Sequence, residues 1–500
     1  MGKKQRTKPQ KDCPDLVNAR SSWERGRFAE ALHRFDKAIR RQPKHPMALI
    51  DAARAFGSRF QADKAAKILA QLEKISAGKS DQLVEAAQAY RIAKRPQDAS
   101  RCLEKVLEKN PDHAVANLEL AALLADDDEP TKALEYVGRA LATKPDSDEA
   151  RLLHAKLLTQ QDDPDYAYAI LVELSEPGVR PLVRGEALSM TATIQEREGD
   201  YEEAFETMMD SNAALDRIST KARDEAEAID PVLLHLRHAV KTTHLKKWAR
   251  LKEAADEETP PLALMTAPFR SGTNLIGSLL DRQPAIAVAN HITAFADDIF
   301  PAALMAGDED EKSRSTELFR TMDDARRQKE AIRYRELLLQ CLPDREAQPE
   351  VLIDHSPATI HLIPSFLRIV PKGKIIVSIR DPRDVLVSSL FAHFAPERNT
   401  VALAHPFDAA DKINSELGTW LHFRELLDPS QFIEVRYEEL VADPSTEVAH
   451  ICEFLEIDHD PSVILPNVHQ DSVGRWQHYE EPLAAYYNEL EPLIKPLGYE

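Results

Sequence analysis

Cysteine is scarce in this sequence, and no long apolar run occurs in it. The 500 residues include only four cysteines, which stand far apart at Cys13, Cys102, Cys341 and Cys452. This spacing suits neither a disulfide framework nor a zinc site, so we expect reduced thiols and no metal. No apolar run approaches the roughly 20 residues that span a bilayer. We therefore expect a cytoplasmic protein that does not associate with a membrane.

Positive charge is also in deficit. Lysine and arginine together number 64, against 84 aspartates and glutamates, which gives a net charge of −20. Nucleic acid is a polyanion and is therefore not an expected partner. Residues 1–11 are the exception, because they are basic and polar, and no apolar core follows them as it would in a secretory signal. We expect this stretch to be a disordered tail.

The first half of the sequence contains an internal repeat. Alanine recurs at five positions 34 residues apart and once more after 37 residues, at Ala31, Ala65, Ala99, Ala133, Ala167 and Ala204. A period of 34 residues is that of the tetratricopeptide repeat, a helix–turn–helix unit whose small residues let the helices pack closely. We predict an all-α solenoid of about six repeats over residues 12–215. A charged helical linker or cap is predicted to follow over residues 216–258.

The second half opens with a pattern of strand, loop and helix. An apolar strand is predicted over Leu262–Ala267, a short loop over Pro268–Asn274, and an apolar helix over Leu275–Leu280. Backbone N–H groups gather where such a loop meets a helix N-terminus, and together with the helix dipole they favour an anionic oxygen cluster. The pattern therefore predicts a phosphate cradle.

The side chains of this loop support the same interpretation. Arg270 adds a positive fork, Gly272 lets the backbone approach a ligand closely, and Ser271 and Thr273 add hydroxyl donors. No lysine follows the glycine, so the loop differs from the ATP-binding loop, which ends in Gly-Lys-Ser/Thr. A plain helix cap and turn would use similar residues, and the loop alone does not distinguish the two interpretations.

A second pattern of this kind lies about a hundred residues later. The apolar strand that begins at Lys374 ends at Arg380, where Asp381 is suited to cap a helix and Pro382 to begin it. Ser388 stands eight residues after Arg380, about two helical turns along, so both side chains can face one ligand. An arginine and a serine at this spacing predict a second phosphate site.

These two patterns resemble the sulfotransferases that use 3′-phosphoadenosine 5′-phosphosulfate (PAPS). Their 5′-phosphosulfate loop has the form Pro-x-Arg-Ser-Gly-Thr-Thr/Asn, and their 3′-phosphate site is a strand that ends in Arg-Asp-Pro with a serine eight residues on. Two further stretches are similar to the family, Phe432–Pro444 and Ser472–Tyr479. The resemblance is greatest to the bacterial type that carries tetratricopeptide repeats ahead of the transferase, which is related to tyrosylprotein sulfotransferases.

The resemblance covers the predicted domain of residues 259–500 and implies its fold and ligands. It implies an α/β fold with a mainly parallel sheet, a P-loop-like phosphate cradle, and PAPS as co-substrate without a metal. In the family pattern, Tyr437 lies near the adenine and a late loop closes over the nucleotide. A tyrosine packed under the edge of the sheet is the alternative for Tyr437. The implied nucleotide-binding residues are Arg270, Ser271, Gly272, Thr273, Asn274, Arg380, Ser388, Tyr437, Ser472 and Arg475.

The chain departs from the family at two catalytic positions. Relatives place a glutamate base shortly after the phosphosulfate loop, where this sequence has Asn290 followed by His291. They commonly place a lysine in an Asp-Lys-x-Pro stretch, where this sequence has His355. We favour His291 as general base, with His355 assisting the leaving group and Arg270 stabilising charge. In the alternative, the catalytic pair has been lost and the transferase half only binds nucleotide.

The repeats suggest a further partner. Solenoids of this type offer a concave face on which a protein or peptide segment can lie, which is an analogy at the level of the fold. We expect the acceptor hydroxyl to be presented by such a segment or bound beside the repeats. A nucleotide kinase is a third possibility, against which the absence of Gly-Lys-Ser/Thr counts strongly.

Overall fold

The computed structural model describes residues 11–76, 79–160, 164–251, 260–290, 295–300, 322–342, 348–463 and 472–500. Residues 1–10 of the predicted tail and His291 lie outside the described residues. Contacts divide the chain into two compact units, residues 1–170 and residues 171–500.

The first unit consists of helices in consecutive pairs. They are α1 Pro14–Glu24, α2 Phe28–Arg41, α3 Pro46–Ser58, α4 Ala62–Ile75, α5 Ser80–Ile92, α6 Pro96–Leu107, α7 Ala114–Asp126, α8 Pro130–Thr143, α9 Asp148–Gln160 and α10 Pro164–Leu174, the last of which extends into the second unit. Proline stands at the first turn of α1, α3, α6 and α8, where its missing N–H removes no helical hydrogen bond. The prediction of paired repeat helices is confirmed.

The repeated alanines form the buried seam of these pairs. Each lies on the second helix of its pair and has no exposed surface, as Ala31 on α2, Ala65 on α4 and Ala99 on α6 illustrate. A side chain of one carbon allows the two helices of a repeat to approach closely, whereas a larger one would separate them. The spacing of 34 residues is therefore a packing requirement.

A leucine introduced into this seam should destabilise the array. We expect Ala133→Leu to lower the free energy of unfolding by about 1–3 kcal/mol, because the added carbons must displace close-packed neighbours. Glu135→Leu, at an exposed position of the same helix, is the matched control and should change it by less than about 0.5 kcal/mol. Urea unfolding followed by circular dichroism measures both. Equal effects of the two leucines would contradict the role of the seam.

The second unit begins with four helices and continues into an α/β domain. The four are α11 Pro181–Glu198, α12 Tyr201–Leu215, α13 Thr220–Ala239 and α14 Thr242–Trp248. The helices of the domain are α15 Thr273–Leu280, α16 Asp324–Gln340, α17 Ile363–Ile369, α18 Pro382–Leu390, α19 Pro406–Leu426, α20 Tyr437–Ala442, α21 Pro444–Leu455 and α22 Glu480–Ile494. No helix in the described ranges has both the length and the apolar character needed to span a bilayer.

The domain is built on one parallel sheet of five strands. They are β1 Leu262–Thr266, β2 Ile286–Asn290, β3 Val351–His355, β4 Lys374–Ile379 and β5 Phe432–Arg436, arranged in the order β2-β3-β1-β4-β5. Every residue of β1 and β3 is buried, as expected for strands covered on both faces. The predicted α/β fold with a mainly parallel sheet is confirmed. Because the strands are parallel, their carboxyl ends meet at one edge, where such folds bind ligands.

Helices α11 to α14 belong to the same compact unit as this domain. The side chain of Asn212 on α12 donates to the carbonyl of Leu390 at the end of α18 at 3.2 Å. The guanidinium of Arg368 on α17 lies 5.9 Å from the ring centre of Trp248 on α14. The helices α11 and α12, which the sequence pattern predicts to be the sixth repeat and which we call the sixth repeat pair, are thus packed on the α/β domain. The sequence-based boundaries at residues 215 and 258 stay predictions.

Candidate functional site

The predicted first phosphate cradle is a tight loop between β1 and α15. Arg270 and Gly272 both adopt the left-handed backbone region, with φ of 68° and 94°, and α15 begins directly after at Thr273. The N–H groups of the first turn of α15 therefore face out of the helix end, where they have no partner within the helix. A Cβ on Gly272 would collide with the ring of Tyr437. Glycine is required here both for its φ and for this close approach.

The second cradle follows β4 and joins the first. The side chain of Asp381 accepts from the backbone N–H of Arg383 at 2.9 Å and caps α18, as predicted. Ser388 faces inward from this helix and is buried. The Nε of Arg270 donates to the Oγ of Ser388 at 3.0 Å, across 118 residues of sequence. The two patterns therefore form one site.

Arg380 is held rigidly at the centre of this site. Its Nη1 donates to the carbonyl of Arg270 at 2.9 Å and its Nη2 to the carbonyl of Ser472 at 2.5 Å, while its guanidinium lies 4.6 Å from the ring centre of Tyr437. Its Nε is buried and has no hydrogen-bond partner among the described residues. A fixed guanidinium with an unused donor fits an anionic oxygen, because charge-assisted bonds to phosphate are strong and directional.

Positive charge is concentrated in this part of an otherwise acidic chain. Removal from water lowers the pKa of Arg270, and the positive charges of Arg380 and Arg475 lower it further. The guanidinium nevertheless stays charged, because arginine does not lose its proton in proteins. The guanidiniums of Arg270 and Arg380 repel each other, and a bound anion would relieve that repulsion.

The stretch Ser472–Tyr479, which we call the closing segment, borders the site. The Oγ of Ser472 lies 2.7 Å from the hydroxyl of Tyr437. Asp384 on α18 accepts from the backbone N–H groups of Gly474 and Trp476, each at 2.8 Å. The guanidinium of Arg475, which is predicted to bind nucleotide, contacts Glu196 on α11 through Nε at 2.5 Å and Nη2 at 2.7 Å. Ser472 thus lies beside Arg380, while Arg475 points to the sixth repeat pair.

His355 stands at the carboxyl end of β3. It is fully buried, and it pairs in register with Met265 on β1 and Asn290 on β2. Its Nδ1 lies 2.9 Å from the Oδ1 of Asn290. An amide oxygen only accepts, so Nδ1 of His355 is the donor in this contact. A Cβ on Gly277 of α15 would lie 3.5 Å from Nδ1, so His355 packs against α15.

Asp354 faces a different set of partners from those of His355. Its carboxylate accepts from the hydroxyl of Tyr334 on α16 and from the Oγ of Ser356 at 2.6 Å. Burial raises the pKa of Asp354 to about 6 and raises that of Tyr334 as well. The hydrogen bond of His355 Nδ1 is to Asn290, so the structure assigns Asp354 to the packing between β3 and α16.

Three residues of the site escaped prediction from the sequence. They are Ser378, Glu196 and Asn290, the last of which contacts His355. Ser378 donates to the carbonyl of Ser271 at 2.5 Å, and Glu196 accepts from Arg475. Asn290 and Ser378 do carry a signal, because each is a polar residue at or near the end of a buried strand. Glu196 carries none, since it is one of several acidic residues near the end of a helix.

The raised pKa of Asp354 predicts a dependence of stability on pH. The folded state binds the proton of the Asp354 carboxyl more tightly than the unfolded chain does. The contribution of this proton to the free energy of unfolding is therefore fully present below about pH 4 and is lost as pH rises through about 6. Asp354→Asn removes the titration. Relative to wild type, its free energy of unfolding should rise by on the order of 3 kcal/mol between pH 4 and pH 7.

Urea unfolding of both proteins at the two pH values measures this difference. Glu453→Gln removes an exposed carboxylate on α21 and should shift it little. If the free energies of unfolding of Asp354→Asn and wild type change in parallel between about pH 4 and pH 7, the pKa of Asp354 is not raised by folding.

Two family models match the sequence. Residues 261–461 match the sulfotransferase family, and residues 16–80 and 84–150 match the tetratricopeptide repeat. Within the described residues, no group of three or more histidines, cysteines or acids is placed to hold a metal ion.

Among curated proteins, an uncharacterized protein of Aquifex aeolicus is 22% identical over 347 residues, which cover 65% of this chain and 44% of that protein. The omega-hydroxy-beta-dihydromenaquinone-9 sulfotransferase of Mycobacterium tuberculosis is 29% identical over 128 residues, 24% of this chain and 32% of that enzyme. The chain thus spans less than half the length of each of these relatives.

Among solved structures, the sulfotransferase domain of the Synechococcus PCC 7002 olefin synthase is 17% identical, with a TM-score of 0.30. That comparison covers 46% of this chain and 91% of that domain. A repeat protein of Thermus thermophilus is 22% identical, with a TM-score of 0.29 and coverage of 35% and 96%.

Proposed function

Because the chain joins tetratricopeptide repeats to a domain of the sulfotransferase family, we propose that its second half transfers a sulfuryl group from PAPS to an acceptor hydroxyl. The observation that carries this proposal is the hydrogen bond from Arg270 to Ser388. It brings the two phosphate cradles into contact, as a nucleotide with phosphates at both its 3′ and 5′ positions requires. A nucleotide with a single phosphate chain would use only the first cradle.

Each cradle is assigned one end of the nucleotide. The N-terminus of α15, with Ser271, Gly272, Thr273 and Asn274, holds the 5′-phosphosulfate through N–H and hydroxyl donors. The 3′-phosphate lies on Arg380 and Ser388, where the buried Nε of Arg380 supplies a donor. Arg270 stands between the two groups and contributes charge to both.

The rest of the nucleotide site consists of aromatic and loop residues. Tyr437 supports the underside of the Gly272 turn and stacks on Arg380, so its ring shapes the first cradle as well as any adenine pocket beside it. Ser472 reaches the same place through its bond to the hydroxyl of Tyr437. We assign Arg475 to the nucleotide site because it anchors the closing segment that carries Ser472.

The proposed reaction is a direct displacement at sulfur. The acceptor oxygen forms a bond to sulfur while the bond from sulfur to the bridging oxygen of the 5′-phosphate breaks. The acceptor proton passes to a base, and 3′-phosphoadenosine 5′-phosphate leaves. Negative charge grows on the bridging oxygen, so the N–H groups at the start of α15 and Arg270 stabilise the transition state.

The two histidines divide the proton transfers between them. His291 follows Asn290 directly and is proposed as the base that takes the acceptor proton. His355, whose Nδ1 lies 2.9 Å from the Oδ1 of Asn290, is proposed to assist the leaving group, either protonated or as a neutral N–H donor. The repeats of the first unit are proposed to bind the protein or peptide that carries the acceptor.

Removing Arg380 should abolish the preference for a 3′-phosphate. Wild type should bind 3′-phosphoadenosine 5′-phosphate at least about tenfold more tightly than AMP, because a charge-assisted phosphate contact contributes about 1.5–3 kcal/mol. Arg380→Ala should equalise the two affinities, and Arg270→Ala should weaken both. Isothermal titration calorimetry measures each affinity.

Arg282→Ala is the matched control for this comparison. It removes an exposed arginine just beyond the far end of α15 and should leave both affinities unchanged. Equal affinity of wild type for the two nucleotides would overturn the assignment of the second cradle. ATP binding that requires magnesium would favour a kinase.

His291 should control the pH dependence of turnover. His291→Ala is expected to lower kcat by about a hundredfold or more with little change in nucleotide affinity, which is the usual effect of losing a general base. In wild type the rate should fall below a pKa near that of imidazole. His291→Glu, which restores the residue of relatives, should keep part of the activity and move the acidic limb to lower pH.

Steady-state assays with tyrosine and sugar acceptors measure these rates. His450→Ala removes an exposed histidine of α21 and serves as control. Undiminished turnover of His291→Ala would exclude it as base. Nucleotide binding by a wild-type protein that transfers no sulfuryl group to any acceptor would instead favour a scaffold with an inactive transferase half.

A further inference from the structure

We propose that Glu196, on the sixth repeat pair, is a positioning residue for the nucleotide site. It fixes the closing segment through Arg475 and Tyr479, so that Ser472 meets Arg380. This inference rests on the proposed function, since it concerns the same nucleotide. The inference gives the helix pair α11–α12 a role that no motif of the α/β domain provides, which is to hold the closing segment against the nucleotide site.

Glu196 contacts the closing segment through an ion pair and a further hydrogen bond. Both carboxylate oxygens of Glu196 accept from Arg475, at 2.5 Å from Nε and 2.7 Å from Nη2, and Oε1 also accepts from the hydroxyl of Tyr479 at 2.9 Å. The side chains of Glu196 and Arg475 are each only 18% exposed. A bidentate arginine–carboxylate pair shielded from water has a defined geometry, unlike the mobile pairs of an open surface.

Aromatic rings enclose this ion pair. Tyr479 is fully buried, and its ring centre lies 5.0 Å from that of Phe391, 5.9 Å from Tyr201 and 6.2 Å from Phe205. Tyr201 and Phe205 belong to α12, and Phe391 caps the end of α18. The guanidinium of Arg475 also lies 4.6 Å from the ring centre of Phe391. The sixth repeat pair therefore binds the closing segment through both an ion pair and aromatic packing.

The closing segment connects this anchor to the proposed nucleotide site. Three residues before Arg475, the carbonyl of Ser472 accepts from Arg380 and its hydroxyl meets that of Tyr437. Between these points, Asp384 holds the backbone of Gly474. Asp384 also holds the backbone of Trp476, so Glu196 and Asp384 together fix the chain around Arg475, only two residues away from Ser472. The residue expected to hold the 3′-phosphate thus depends on an anchor in a repeat helix.

A competing explanation gives Glu196 the opposite effect. If Arg475 were a phosphate ligand and Glu196 merely a counter-charge that occupies it, then removing the carboxylate would free a cation for the nucleotide and tighten binding. If Glu196 positions the segment, its removal loosens Ser472 and Arg380 and weakens binding. The sign of the change separates the two explanations.

The test is calorimetry of the full chain with 3′-phosphoadenosine 5′-phosphate. We expect Glu196→Gln and Arg475→Ala each to weaken binding by about tenfold, and the double variant to be no weaker than either, because the two side chains act as one pair. Tyr479→Phe, which removes one donor to Glu196 and keeps every charge, should weaken binding by about two- to threefold. In turnover assays Glu196→Gln should raise KM for the donor and leave kcat within about twofold.

Glu198→Gln is the matched control, since it neutralises an exposed glutamate two residues further along α11, and it should bind like wild type. Circular dichroism confirms that each variant is folded, and Tyr479→Phe tests the inference if Glu196→Gln is not. Tighter or unchanged binding by Glu196→Gln, or additive losses in the double variant, would overturn it. Failure of wild type itself to bind the bisphosphate would overturn the proposed function instead.

Discussion

The site depends on one set of hydrogen bonds, those that tie Arg270 to the strand-end arginine Arg380 and to Ser388. Arg270 and Arg380 carry like charges and would separate in the absence of other forces. The carbonyl of Arg270 instead accepts from Arg380, and the side chain of Arg270 donates to Ser388. This arrangement sets two guanidiniums at the carboxyl edge of a parallel sheet, which is where we propose that the anionic nucleotide binds.

The rest of the second unit supports that arrangement. Buried strands bring the residues at their carboxyl ends into register, so that His355 and Asn290 come together on neighbouring strands. The tight Gly272 turn rests on Tyr437, and Tyr437 stacks under Arg380. Tyr437 takes part in two of these contacts, so the Gly272 turn and Arg380 share one support. The sixth repeat pair joins this network through Glu196 and belongs to the same compact unit as the α/β domain.

The sequence predicted the parts of the structure that have local causes. The alanine seam, the strand before Arg270 and the cap at Asp381 each follow from packing or backbone rules within one short stretch. The Glu196–Arg475 pair could not be predicted, because it joins residues 279 positions apart that are ordinary surface types taken singly. The bonds of Arg380 to two carbonyls also escaped prediction, since any residue supplies a carbonyl. His291 lies outside the described residues, and its role stays a prediction.

The central claim is that one nucleotide with phosphates at both ends spans the two cradles. A crystal structure of the protein with 3′-phosphoadenosine 5′-phosphate bound tests it most directly. The account predicts density for the 5′-phosphate at the N-terminus of α15 and for the 3′-phosphate within hydrogen-bond distance of Arg380 and Ser388. A nucleotide bound elsewhere, or one with its 3′-phosphate in solvent away from Arg380, would contradict the account.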